Sequence, residues 1–154
     1  MANSLSKQIV AALRARLEGI SVAAGFNTDA GSVVRHGRLK ADSRSLHLAI
    51  LSGASTESQD AARQRVNCRL TVEIAACIPT TPEDVGEDVE DVVEDIQRAI
   101  EVDTGRSLGG IASDVAPLGR GRAVPVDGTA NEYTWLTYLV SYIRGYGQPQ
   151  KKTT

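Results

Sequence analysis

Alternation dominates the middle of this chain. From Val66 to Ile78 every even position is apolar: Val66, Cys68, Leu70, Val72, Ile74, Ala76 and Ile78. Arg65, Asn67, Arg69, Thr71 and Glu73 stand between them. Side chains alternate faces along a strand, so the stretch 64–78, QRVNCRLTVEIAACI, predicts a long strand with one dry face and one wet or partner-facing face. At about 3.3 Å per residue it spans about 45–50 Å, where strands of about five or six residues are usual.

Helical periodicity flanks this strand. Leu5, Ile9, Leu13, Leu17 and Ile20 recur at three- and four-residue spacing, widened by Val10, and Ser4 or Ser6 can cap the turn before them. The spacing predicts a helix over 4–20. A second helix is signalled by Thr81 at the cap, Pro82 at the first helical position and Asp84 three residues past the cap. Its apolar stripe is Val85, Val89, Val92, Val93, Ile96 and Ile100, and acids from Glu83 to Asp95 cover the remaining surface. Like charges three or four apart each cost a few tenths of a kcal/mol (about 0.2–0.5), so burial of the valine stripe has to hold this helix together.

The remaining elements are shorter. Residues 23–32 read as loop, Val33–Arg35 as a short strand, 46–51 as an apolar strand, and the small polar run 52–62 as a mobile loop. Glycines make 104–121 loop-rich, with a short strand at 111–118; 122–126 is a further strand, and Asp127-Gly128 signals a hairpin. Residues 132–146 form the last strand, with Leu136, Tyr138, Val140 and Tyr142 on one face and Trp135, Leu139 and Ile143 on the other. The predicted fold is α+β: a mostly antiparallel sheet with two helices packed on one face. One domain is expected over 1–147, followed by a disordered tail at 148–154.

Charge changes the picture from a generic domain to one with sides. The formal net charge is only −2, yet residues 1–82 carry +4, residues 83–103 carry −9, and residues 104–154 carry +3. An acidic block between two basic ones suits head-to-tail association of copies. Arg65 and Arg69 on the polar side of the long strand are spaced to meet Glu87, Asp91 and Glu94 of an adjoining copy; these five are the candidate subunit-interface residues.

Candidate chemistry is sparse. His36 and His47 have no cysteine or histidine at zinc-like spacing, so no metal site is predicted. The acids lie on a helix and not in an oxygen-rich loop, which argues against calcium. No phosphate loop, dinucleotide fingerprint or nucleophile elbow occurs, so no cofactor and no catalytic residue is predicted, and the expectation is a non-enzyme. Cys68 and Cys77 face opposite sides of one strand and cannot pair within a copy. The basic cluster Arg35, His36, Arg38, Lys40 and Arg44 lacks interleaved aromatics, which disfavours a single-strand nucleic-acid platform. No apolar run reaches the roughly eighteen residues of a membrane span, and the N-terminal twenty, broken by Lys7, Arg14 and Arg16, do not fit a secretory leader.

The succession of elements resembles a known family. A helix KQIVAALRARLEGI, a loop AGFNTDAG leading to a strand that ends in RHGR, a long alternating strand, an acidic helix with DVVEDIQRAI and a final VSYIRGYG strand together resemble tail terminator and minor tail proteins of long-tailed bacteriophages. The resemblance covers most of 5–146. It implies a virion structural protein, assembled in the host cytoplasm and located at the head-proximal end of the tail. Copies would form a ring, typically hexameric, on the tail tube protein, end tube growth and present a surface to the head–tail connector protein. DNA would pass through the lumen without specific binding, and no membrane is involved. The resemblance carries over no catalytic residue, and it makes the 52–62 stretch a candidate arm contacting the tube or lining the lumen. The alternatives are a head–tail joining or neck protein and, from a different class, a small cytosolic ligand-binding domain or an enzyme using Cys68.

Overall fold

Ser4 sets the start of the first helix, α1 (Leu5–Glu18), by accepting from the Lys7 amide through its hydroxyl at 3.4 Å. Leu5, Ile9, Val10, Leu13 and Leu17 then face inward and are buried, as the spacing predicts. In this computed structural model residues 4–39, 45–79, 87–101, 108–123 and 131–145 are described, with the backbone alone at 87–88 and 122–123. The expected cap at Thr81, Pro82 and Asp84, the Asp127-Gly128 hairpin and the tail 148–154 lie outside those residues.

Five strands follow: β1 (Val34–His36), β2 (His47–Asp60), β3 (Arg65–Pro79), β4 (Asp114–Ala123) and β5 (Asn131–Gly145). The second helix, α2 (Glu87–Glu101), sits between β3 and β4 in the chain. Sheet order is β1-β2-β3-β5-β4, and only the β1–β2 pair is parallel. The protein is therefore α+β with a mostly antiparallel sheet. The predicted long strand is its centre: β3 is paired over its whole length with β5, from Arg65 opposite Gly145 to Pro79 opposite Asn131.

Both helices cover the same face of this sheet. Val66, Cys68, Leu70, Val72, Ile74, Ala76 and Ile78 of β3 join Leu136, Tyr138, Val140 and Tyr142 of β5 and the two helical stripes in one buried cluster. α1 lies over β1 and β2, while α2 lies over β3, β5 and β4. Gly31 permits the tight return after α1: a Cβ there would run into the carbonyl oxygens of Leu17 and Ile20, so only glycine fits.

Two stretches depart from the sequence reading. Residues 52–60, expected as loop, are the outer half of β2, hydrogen-bonded to β3 down to Asp60 opposite Arg65. A register shift between Ser52 and Ser55 swaps the faces of β2, and residues 51–59 are all exposed. A strand wet on both sides loses the period-two signal on which sequence reading depends. The stretch after 108, expected as loop with short strands at 111–118 and 122–126, holds one strand, β4, with a register shift between Pro117 and Gly119. Gly121 is where the Trp135 ring lies against the backbone, and a Cβ would collide with that ring.

Candidate functional site

The helix-free face of the sheet carries the odd residues of β3 and β5. Successive rows read Arg69 between Thr56 and Ser141, Glu73 between Leu51 and Thr137, and Ala75 between Ala49 and Trp135. Toward the β2–β3 hairpin this face carries Asn67, Arg69 and Ser141 with Ile143 among them, and at the other end Ala49, Ala75 and Trp135. Near the apolar end, Gly37, Arg38 and Leu39 fold over it and leave a hollow of about 320 Å³ lined also by Glu73, Ala75, Tyr133 and Trp135. Ile143 and Leu51 are 43% and 42% exposed on the same face.

The predicted interface residues are divided by the sheet. Arg65 and Arg69 belong to the helix-free face, as the alternation requires. Arg65 is already engaged within the chain, its Nε 3.3 Å from a carboxylate oxygen of Asp60. The expected basic pair is thus reduced to Arg69, which is exposed. Asp91 and Glu94 are exposed on the outer side of α2, on the opposite layer. Glu87 opens α2, and its side chain lies outside the described residues. Of the basic cluster, Arg35, His36 and Arg38 are exposed, while Lys40 and Arg44 lie outside the described residues.

One acid assigned to the outer surface is not there. Asp95 is fully buried and accepts from the backbone amides of Asn27 at 2.9 Å and Thr28 at 2.8 Å, and from the Thr28 hydroxyl at 2.7 Å. Arg98 completes the clamp, donating to the Gly25 carbonyl at 3.2 Å and stacking over Phe26 at 4.8 Å. The run EDVEDVVED offers no signal that separates this acid from its neighbours. Only its helical position toward the 26–29 loop does.

A polar group closes the hairpin end on the helix side. Arg144 donates two hydrogen bonds to Glu57, at 3.2 and 2.9 Å, holding that carboxyl below the usual range. Cys68 lies between them in the register, with Tyr142 beside it. Burial pushes the thiols of Cys68 and Cys77 up, so neither has the thiolate character of a nucleophile at neutral pH. Burial likewise raises Tyr142, and it raises Tyr138 further, helped by the Glu101 carboxylate to which the Tyr138 hydroxyl donates at 3.3 Å.

These four groups set an alkaline limit on stability. Each keeps its proton in the fold at a pH where the unfolded chain loses it, so the native state is favoured fully below the ordinary values and progressively less above them. The ordinary value is 9.0 for the thiols and 10.0 for the phenols. Urea midpoints should be flat up to about pH 8 and fall beyond it, each group adding up to about 1.4 kcal/mol per pH unit. Tyr138→Phe should flatten the part above pH 10; an unchanged slope there would remove Tyr138 from the account.

Among the described residues no group of three histidines, cysteines or acids is placed to hold a metal ion. No described helix is long and apolar enough to cross a membrane. What the geometry defines is a class: an α+β sandwich of one helix layer and one sheet layer, with no described helix on the sheet's far side. No protein-family model and no curated protein matches the chain, so its surfaces carry the functional argument.

Proposed function

We propose that this chain is a virion structural protein of a long-tailed bacteriophage, a tail terminator. Copies form a ring on the tail tube, end tube polymerisation and present the surface for the head–tail connector. The observation that carries the reading is the three-strand ribbon of β2, β3 and β5. Among the described residues the sheet it continues has helices on one face only, and the ribbon's other face mixes Asn67, Arg69 and Thr71 with the apolar Leu51, Leu139 and Ile143. Such a surface serves contact with other chains. It gathers no convergent set of catalytic groups among the described residues.

The acidic side of α2 supports the same reading. Within the chain its like charges are a cost, offset only in part by the Glu90–Arg120 pair at 3.3 Å. A surface that costs stability in the isolated copy is accounted for when a basic neighbour faces it.

The concentrated protein should therefore form closed rings, by light scattering and electron micrographs. Reversing Glu87, Asp91 and Glu94 to lysine should prevent ring closure and leave the melting temperature within a few degrees. Solitary globules at every concentration, with tail tubes present or absent, would sink the ring. Rings that bind connectors but never tubes would move the protein to the neck.

A further inference from the structure

Two charges and two apolar groups stand symmetrically on the face of the sheet that no described helix covers. Arg69 and Glu73 are both exposed there, four residues apart on β3, and among the described residues neither has an ion pair. Thr71 is midway between them. On the neighbouring strand β5, half-buried Trp135 and exposed Ile143 are eight residues apart, with Leu139 midway. Thr71 and Leu139 are partners in the β3–β5 register. The centre of the charged pair and the centre of the apolar pair therefore lie at one height in the sheet.

Such a pattern is complementary to itself. Sheets packed face to face lie about 10 Å apart with their strands within about 30° of one another, so facing rows meet. A twofold axis that crosses the strands at Thr71 and Leu139 keeps β3 over β3 and β5 over β5 and inverts the rows. Arg69 of each copy then faces Glu73 of the other, so the ion pair is made twice. Leu139 meets Leu139, and Trp135 meets Ile143, also twice. An axis running along β3 would instead set Arg69 over Arg69 and Glu73 over Glu73, and like charges in contact disfavour that arrangement.

The segment 37–39 stands over the same face on its β2 side, beside Glu73 and Ala75. Inverting the rows places it opposite Thr56 and Ser58 of the second copy, both small and exposed. The two 37–39 segments fall at opposite ends of the contact and do not collide. Ile143 of each copy arrives at the Trp135 wall of the other's 320 Å³ hollow.

We propose that the chain pairs with a second copy of itself through this face, with Thr71 and Leu139 at the axis. Burial of Leu139, Ile143 and Trp135 drives the association, and the crossed Arg69–Glu73 pairs fix its register. The pair goes beyond the ring reading and does not depend on it.

Sedimentation of the purified full chain tests the pair. Arg69→Glu alone and Glu73→Arg alone should each weaken association at least about tenfold, because each sets like charges together twice. An equimolar mixture of the two variants should recover the parent's association, since one chain then carries acids at both positions and the other arginines at both. A chain with both substitutions should recover it as well. Emission from Trp135, the only tryptophan, should move to shorter wavelength on pairing as Ile143 displaces water from the ring. Single copies at about 1 mM overturn the pair. An association that both single variants keep, or a mixture no tighter than its components, overturns it too. Rings whose Trp135 emission matches that of the single copy overturn the pair and leave the ring standing. Pairs that show the recovery but never close into rings support the pair and sink the ring.

Discussion

Val92→Asp should leave the chain without a cooperative fold. Val92 is 1% exposed, in the middle of the α2 stripe that packs on β3, β5 and β4. Removing the valine forfeits about 1.5–3 kcal/mol of burial. Putting a carboxylate in its place adds several kcal/mol more, because the cluster of described residues around it holds no basic side chain to pair with it. The sum is about equal to the whole stability of an ordinary domain, about 5–15 kcal/mol. It comes on a helix whose acidic surface already opposes it. Circular dichroism should show the loss of helix and sheet together, since both share one core. A sigmoidal melt within about 5 °C of the parent would mean that α2 presents a different face to the sheet.

Asp95→Ala should be the next most damaging single change, at about 3–5 kcal/mol. The substitution strands the Asn27 and Thr28 amides and the Thr28 hydroxyl and removes the carboxylate beside Arg98, 4.0 Å away. The loop 26–29 then loses its tie to α2, and Gly31 behind it loses the geometry that its close approach to Leu17 and Ile20 depends on. Asp95→Asn keeps one of the two accepting oxygens but turns an NH2 toward the donors of the other, so it should recover only part of the loss. Urea unfolding gives the totals, and amide exchange at Asn27 and Thr28 shows whether the loss begins locally. A cost below about 1 kcal/mol for the alanine variant would show that water replaces the carboxylate without penalty.

The contrast between Asp91 and Asp95 explains how far the site could be read from residues alone. Both are aspartates in one acidic run, one turn apart, and nothing nearby in sequence distinguishes them. One faces solvent and is available to a neighbour; the other holds a loop from 67 residues earlier in the chain. Arg65 and Arg69 are similar: alternation places both on the bare face, but only the hairpin brings Asp60 back to Arg65. Long-range partners are not encoded in spacing.

Periodicity alone determined the long central strand, the two amphipathic helices, the facing of β5 and hence the α+β class. Each of these has one dry side and one wet side, and burial imprints that difference on the sequence at period two or 3.6. The extension of β2 through 52–60, the continuity of β4, the placing of Asp95 and the two outer edges were decided by the tertiary structure. They depend on backbone pairing and on contacts between distant segments. Backbone hydrogen bonds are made by every residue type alike, so a strand exposed on both faces leaves no pattern in its side chains.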